Sequence, residues 1–468
     1  MEQTAKLLEK TEAPAVQGVR KFGIRDKVGY MFGDVGNDLF FTLISGYLML
    51  FYTDIYGISA ATAGMILLVA RVLDALFDVA WGAYVDSRPV GAKGKFRPYL
   101  LYSAIPVTAF GVLTFTYFPV AAGWQVILAT AAYIIWGLAY STINIPYGSL
   151  ASVITSDPVE RTSLSTFRTM GAIIANVFIM TVAPIIIFGS GKTPTASGFV
   201  SIAVICAVLA IICYISSYRL TVERIRTVKP ASDKVNLLIT VKGLFKNKAL
   251  LGIMLASFGM MVSLMVVSAI TPYLFKDYFK SPGLISIAGL IGLASALLAM
   301  PLVSPLVKKY GKKETAVIGL SIAVMINFIM FILPLTSPYV YIGFYFVSSF
   351  GMAFLNILVW AMVSDCIDYQ QFITGKREEG TVYSVYSLVR KIGQGVAGGL
   401  GGFALVAVGY NSGLQIQTEE AARGIKSLIT LIPALGSLIA LVAIVWIYNL
   451  SKQRLVWLSE QLKKNNQL

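Results

Sequence analysis

Twelve runs of predominantly apolar residues set the limits on what this chain can fold into. About 20 such residues in helical form cross the hydrocarbon core of a bilayer. The runs fall at roughly 30–53, 60–85, 98–118, 126–150, 164–188, 198–218, 249–273, 284–306, 314–334, 338–362, 381–408 and 427–450. They do not alternate polar with apolar residues, as the strands of a membrane barrel would. Every backbone group in lipid must find its partner within the segment, so these runs are expected to be helices. Composition agrees: 57% of the residues are hydrophobic, only 13% are charged, and mean hydropathy is +0.75, outside the range of soluble domains.

The charge pattern supplies an orientation. The chain has 38 Lys and Arg against 23 Asp and Glu, a net charge of +15. Of the 38, 29 lie in the N-terminal segment, the even-numbered loops and the C-terminal tail. The odd-numbered loops hold Lys192, Lys276, Lys280, Arg423 and Lys426, and Arg71, Arg168, Arg390 and Lys391 lie inside spans. This is the positive-inside pattern, which predicts a multi-pass protein of the cell membrane with both termini cytoplasmic. The basic surface then faces anionic inner-leaflet lipids, not nucleic acid. Residues 1–26 are polar and show no apolar region before a cleavage site, so no secretory signal peptide is expected. Histidine is absent, which excludes imidazole catalysis and ligation, and the three cysteines show no disulfide or zinc spacing. No nucleophile–base set or phosphate loop is present, so no enzyme activity and no cofactor are expected.

A basic loop at about 219–248 divides the runs into a six-helix bundle at 30–218 and another at 249–450, flanked by cytoplasmic segments 1–29 and 451–468. The halves echo each other. Gly82-Ala83-Tyr84-Val85-Asp86-Ser87-Arg88 and Lys93-Gly94-Lys95-Phe96-Arg97 follow the second span, and Leu306-Val307-Lys308-Lys309-Tyr310-Gly311-Lys312-Lys313 follows the eighth. Paired repeats of this kind are a common transporter plan, with the site between them. Ordinary short basic loops would look similar, but the matching position favours a repeat. Glycines 393, 395, 398, 399, 401 and 402 crowd the eleventh span. They suit close helix packing or a hinge.

Charges buried in these runs are the functional signal. Asp34 and Asp38 lie in the first span, Asp74 and Asp78 in the second and Lys391 in the eleventh. Each costs about 2.5–3.5 kcal/mol at a helix centre on insertion scales, so such residues are read as lining a pathway. At 1.5 Å per residue, Asp38, Asp74, Asp78 and Lys391 rise roughly 10–16 Å above the cytoplasmic ends of their spans. Asn144 and Arg168 fall a few ångströms lower by the same measure. Five spans therefore place polar groups in one slab, the depth at which transporters bind solute and ion. Asp74 and Asp78 are four apart and share a helix face, with Arg71 on the same side. Two close carboxylates resist losing both protons. Such a pair takes up a proton or is bridged by a small cation. The plainer alternative is an Arg71–Asp74 ion pair that orients the second span. Asp34 lies near its helix start, where a gate or cap role is expected, whereas Asp38 is deeper and suited to accept from two sugar hydroxyls. Lys391 is expected to pair with Asp38, Asp74 or Asp78, the alternative being snorkelling to the surface. Tyr47, Trp81, Trp136, Tyr140, Trp360, Tyr383 and Tyr386 are candidates to stack on a sugar ring, although aromatic belts also enrich these types.

The run Asp74-Ala75-Leu76-Phe77-Asp78, preceded by Arg71, resembles the second-helix signature of the glycoside–pentoside–hexuronide:cation symporters, a family of the major facilitator fold. Tyr52-Thr53-Asp54, Gly94-Lys95-Phe96-Arg97-Pro98, Trp136-Gly137, Asn144-Ile145-Pro146-Tyr147, Asp365-Cys366-Ile367-Asp368-Tyr369 and Tyr383-Ser384-Val385 leading to Lys391 match further motifs. The resemblance runs from about 22 to 450. It implies that Asp74 and Asp78 hold the cation, with Ser141 or Thr142 beside it. It implies further that Asp38 and Arg168 bind sugar, that Lys391 joins the two sites, and that Ser387 is a nearby hydroxyl. The family's melibiose carrier has an acid where this chain has Asn144, tryptophan at Gly148, lysine at Asn37 and asparagine at Phe77. One sugar-site carboxylate and a stacking tryptophan are thus gone, and the lost asparagine oxygen favours protons over sodium. The chain looks closer to xyloside and pentoside carriers. With 18 residues after 450, the phosphotransferase-type domain of some relatives is not expected.

The expectation is an all-α membrane protein of twelve transmembrane helices in two bundles. It couples uptake of a glycoside or pentoside, such as a xyloside, to H+ or Na+ by alternating access, as a monomer or weak dimer. Asp38, Asn144, Arg168, Lys391, Ser387 and Tyr140 are assigned to substrate, and Asp74, Asp78, Ser141 and Thr142 to the cation, Na+ being the one metal ion in question. Asp34, Arg71, Asp86, Arg97, Arg161, Asp365, Asp368 and Arg377 are assigned to gating, together with Arg88, Glu160, Lys376 and Glu378. A sugar exchanger or uniporter and a lysolipid carrier of the same fold are the alternatives. A channel would show counterflow of labelled sugar to be absent, and a sensor would bind without flux.

Overall fold

A computed structural model describes residues 20–464 except 92, 156, 190, 192, 226–246, 375–378 and 415. The described residues are helical, with no β-strand. In chain order the helices are α1 (Ile24–Leu50), α2 (Ala60–Ser87), α3 (Arg97–Tyr102), α4 (Ala104–Thr114), α5 (Ala122–Ile154), α6 (Pro158–Phe188) and α7 (Ala196–Leu220). They continue as α8 (Lys248–Tyr273), α9 (Ile285–Tyr310), α10 (Lys312–Ile332), α11 (Pro338–Thr374), α12 (Glu379–Ala407), α13 (Glu419–Val442) and α14 (Lys452–Lys464). Ten of the described helices are long and apolar enough to cross a bilayer. The other two expected spans are helical as well. The third is α3 and α4, interrupted at Ser103, and the eleventh is α12, whose apolar face is broken by Arg390 and Lys391. Exposed Trp124, Tyr339 and Trp446, with leucines and isoleucines such as Ile185 and Ile332, give the outer surface the apolar and aromatic character of a lipid-facing one.

The sequence places the first helix start near residue 30, but α1 begins at Ile24. Its first turn is charged, and an apolar window passes over it. Asp26 is fully buried there because Arg20 and Arg224 pair with it at 2.9 and 2.8 Å. Buried charges are kept when paired and hydrogen-bonded.

The chain forms two compact units. The first comprises residues 1–44, 73–187 and 195–233, and the second residues 45–72, 188–194 and 234–468. The end of α1 and the start of α2 thus pack with the second unit. In the first unit glycines set close helix approach. A Cβ on Gly171 of α6 would lie 2.6 Å from the Met31 carbonyl and 3.1 Å from Asp34 Cβ, so only glycine lets α6 lie this near to α1. In the second unit Gly319 of α10 and Gly351 of α11 meet backbone to backbone, each barring a Cβ on the other. Small residues at such crossings are how helices pack without a solvent-driven hydrophobic force.

The first helix of each expected repeat ends in the same way. α1 passes into a π turn at Phe51–Ile55 and α8 into one at Leu274–Tyr278. Tyr56 N–H donates to Phe51 O and Phe279 N–H to Leu274 O. Two residues on, Ile58 N–H donates to Tyr52 O and Ser281 N–H to Phe275 O. The residue between has positive φ in both: +67° at Gly57 and +52° at Lys280, the latter alone among described non-glycine residues. Each π turn carries an aspartate at its fourth position, Asp54 and Asp277.

Candidate substrate and cation site

Within the first unit, α1, α2, α5 and α6 carry the polar layer. Arg168 of α6 donates from Nε to Asp34 Oδ1 of α1 at 3.0 Å. The Asp34 side chain is 6% exposed and that of Arg168 is 45% exposed. Asp34 is therefore committed, while Arg168 keeps much of its fork accessible. Tyr147 of α5 backs the arginine, its ring centroid 5.5 Å from the guanidinium carbon. That tyrosine stacks on Tyr30 at 4.6 Å and donates its hydroxyl to the Tyr30 carbonyl at 2.7 Å. Gly33 makes room for the ring. The Arg168 fork is thus held from one side by a carboxylate and from another by a buried aromatic pair.

Asp38 lies one turn along α1 from Asp34 and is half-buried. None of the hydrogen bonds or ion pairs found among the described residues is to its carboxylate. Neighbouring Asn37 accepts from the Tyr214 hydroxyl at 3.1 Å, and its Nδ2 is buried without a partner. Phe41 stacks with Tyr140 at 6.4 Å, and Tyr140 with Trp136 at 5.2 Å. Trp136 Nε1 is also buried without a partner. An aromatic stripe on α5 thus lies beside the acidic face of α1. Asn144 is half-buried one turn beyond Tyr140.

The cation candidates meet where α2 passes α5. Ser141 donates to Asp74 Oδ1 at 2.7 Å. Gly137, one turn earlier on α5, faces the same carboxylate, and a Cβ there would meet its Oδ1 in ordinary contact at 3.7 Å. Of the two hydroxyls expected beside the cation, Ser141 is the one bonded to Asp74. Thr142 donates to its own helix at Ala139 O, 2.6 Å away. Asp78 is half-buried one turn further on α2.

Arg71, Ser387 and Lys391 belong to the second unit. Ser387 is half-buried and Lys391 exposed, four residues apart on one face of α12. Gly395, one turn on, lies 3.3 Å by its would-be Cβ from Arg71 Cβ. Arg390 stacks its guanidinium on Trp360 at 5.1 Å and reaches Met261 Sδ at 3.8 Å. Trp360 packs edge-on against Tyr386, whose hydroxyl bonds with that of Ser257 at 3.0 Å. The sequence reading counted Arg390 among charges inside spans and gave it no role; its i−4 neighbour Tyr386 on α12 was the available signal.

Several of the residues assigned to gating are engaged inside their own units. Glu223 accepts from the backbone N–H groups of Lys95, Phe96 and Arg97 at 2.7, 2.8 and 2.7 Å. The Arg97 guanidinium lies over the Tyr218 ring at 4.8 Å and donates to the Tyr218 carbonyl. Arg161 donates to the Thr155 and Ser152 carbonyls, Glu160 accepts from Thr155, and Arg88 bonds Tyr84. Asp365 pairs with Lys312 at 2.7 Å, and Asp368 is half-buried one turn on. Asp34, assigned as a gate or cap, is the ion-pair partner of Arg168. Asp86 lies on α2 with its side chain outside the described residues, as are Lys376, Arg377 and Glu378.

A second buried polar cluster escaped the sequence reading. Asp54, which closes α1, pairs with Lys276, which closes α8. Tyr410, just beyond α12, donates to Asp54 Oδ1 at 2.6 Å. Both residues were visible, Asp54 within a motif and Lys276 in an outer loop, but nothing in the sequence spacing joins them.

The family described as MFS/sugar transport protein matches residues 29–452. Over 441 residues, 94% of this chain and 95% of the relative, the chain is 35% identical to a symporter of Bacillus subtilis strain 168, YjmB, whose substrate its name leaves open. It is 32% identical to a putative sulfoquinovose importer of Escherichia coli K12, with 96% of each chain covered. It is 33% identical to the isoprimeverose transporter of Lactiplantibacillus pentosus, over 90% of this chain and 88% of that one. Among solved structures, a D-xylose–proton symporter superposes with a TM-score of 0.63 at 16% identity, covering 91% of this chain and 96% of the other, which shows the fold alone.

Proposed function

This chain belongs to the MFS/sugar transport protein family, among its melibiose-carrier-like symporters, and on that premise we propose that it imports a glycoside or pentoside together with a cation by alternating access. It is a multi-pass membrane protein. The basic bias of the termini and even-numbered loops supports a cell-membrane location with both termini cytoplasmic.

The observation that carries the reading is the state of α1. Asp34 is spent on Arg168, whereas Asp38, one turn away, keeps its carboxylate uncommitted beside an aromatic wall. A carboxylate with free lone pairs and a half-exposed guanidinium are what a polyhydroxylated ring asks for: paired acceptors, paired donors and a flat apolar face. Asp38 and Arg168 take hydroxyls, and Tyr140 supplies the face. Asn144 adds an amide where the family's melibiose carrier has an acid. Ser387 and Lys391 keep the substrate roles that the family resemblance implies for them.

Asp74 and Asp78 take the cation, with Ser141 as the neutral oxygen beside them. Two carboxylates one helical turn apart carry an excess of negative charge when empty. Loading a proton or sodium ion removes that excess and lets the helix re-pack against its neighbours. The phenylalanine at position 77 supplies no ligand oxygen and favours the proton.

The half-exposed fork of Arg168 also favours a second reading, an acidic sugar whose anionic group takes the arginine. The name of the sulfoquinovose relative agrees with it. Uptake into proteoliposomes decides between the two. Xylosides and other neutral glycosides are compared with sulfonated and uronic sugars, under imposed proton and sodium gradients separately. The proposal expects one neutral class to accumulate under a proton gradient. Accumulation of no sugar under either gradient contradicts it.

A further inference from the structure

At the end of α1 remote from the N-terminus, four side chains close around one buried ion pair. Asp54 and Lys276 are in direct contact, their side chains 10% and 6% exposed. Tyr410 donates to Asp54 Oδ1 at 2.6 Å. Thr53 donates to the same oxygen at 2.8 Å and bonds the Tyr273 hydroxyl at 2.8 Å. The Lys276 ammonium lies 5.9 and 5.8 Å from the Tyr273 and Tyr410 ring centroids, and these rings meet edge-on at 5.1 Å. Helices α1, α8 and α12 thus converge on one carboxylate.

We propose that this cluster is a latch: the Asp54–Lys276 pair holds the last turn of α1 against α8 and α12, and it must separate before solute can pass at that end of the carrier. The proposal rests on the alternating-access reading, and three observations lead to it. First, the partners come from equivalent places. Both lie in the π turns that end α1 and α8, with matching hydrogen bonds and positive-φ exits. π turns mark positions where a helix spends regularity on function. Second, Lys276 has a further anionic partner already in place. Asp277 Oδ2 is buried, has no hydrogen-bond partner and lies 3.4 Å from the Lys276 ammonium. When Lys276 leaves Asp54 it passes to Asp277, so opening does not strand a buried cation. Third, Asp54 belongs to the stretch 45–72, which packs with the second unit although the preceding part of α1 belongs to the first. The pair therefore sits within the second unit, ten residues past the point where α1 passes out of the first.

The test uses the full-length protein in membrane vesicles and needs no sugar. Ser268 of α8, two turns deeper than Lys276, faces Gly46 of α1, the would-be Cβ lying 3.6 Å from its hydroxyl. A Ser268→Cys reporter is labelled with a membrane-impermeant maleimide from the latch side. The native Cys206, Cys213 and Cys366 are buried, and the parent without the reporter gives the background. Asp54→Asn and Lys276→Met are expected to raise the labelling rate about tenfold. The exchanged pair Asp54→Lys with Lys276→Asp is expected to return it toward the parent value. Tyr410→Phe removes one hydrogen bond and is expected to give about a threefold rise. It decides the matter if the charge variants do not fold. A labelling rate unchanged in Tyr410→Phe and in every folded charge variant overturns the latch. Because labelling is independent of substrate, that result would leave the sugar-transport reading standing, and a latch that opens in a protein moving no sugar would do the reverse.

Discussion

Two arginine- or lysine-to-aspartate pairs in this molecule look alike in sequence and differ in construction. In the Arg168–Asp34 pair the acid is buried and the base is 45% exposed. In the Lys276–Asp54 pair both partners are 10% exposed or less, with a tyrosine, a threonine and a second aspartate around them. The first pair presents a cation with donors to spare, beside a carboxylate, Asp38, that has acceptors to spare. The second has its acid saturated and its base enclosed. On the proposed reading, spare hydrogen-bonding capacity marks groups that receive a solute, and saturation marks groups that hold helices together. Depth in the membrane or charge alone does not separate the two.

The sharpest break between them is expected in stability. Asp54→Asn leaves Lys276 enclosed with Asp277 as its remaining anionic partner and is expected to cost about 3 kcal/mol, read as a lower melting temperature in detergent, with sugar affinity of the folded fraction within about threefold of wild type. Asp38→Asn should do the opposite. It removes charged acceptors that bind no protein group, so melting stays unchanged while sugar affinity falls about 30-fold, equivalent to about 2 kcal/mol. Equal losses of stability in both variants would erase the distinction. A smaller effect is expected at Ser141→Ala, which deletes the hydroxyl on Asp74. Cation affinity should fall about fivefold, near 1 kcal/mol, as measured from the cation dependence of uptake. The adjacent Thr142→Ala should change that affinity by less than about twofold, since its hydroxyl bonds its own helix. A larger loss at Thr142 than at Ser141 would reverse the assignment made from the geometry.

Much of the fold was legible because a bilayer admits so few solutions. Segment length and hydropathy place the spans. The misplaced start of α1 shows the limit: Asp26 looks like loop and is core, because its two arginines come from elsewhere in the chain. The candidate site was legible only residue by residue. Asp38, Asp74 and Arg168 stood out as charges in apolar runs, and Ser141 came from a resemblance. That Arg168 would turn to Asp34 was hidden, since either aspartate is one turn from the other and helical spacing cannot choose between them. The Asp54–Lys276 pair was hidden more deeply. It joins residues more than 200 positions apart, and no periodicity reports such a pairing.

The central claim is that a carboxylate pair on α2 ties cation entry to sugar movement. Proteoliposomes carrying Asp78→Asn test it most directly, with counterflow exchange and gradient-driven accumulation of the same labelled sugar measured in one preparation. Counterflow that persists while accumulation vanishes is the predicted result. Accumulation against a gradient at the wild-type level would contradict the account.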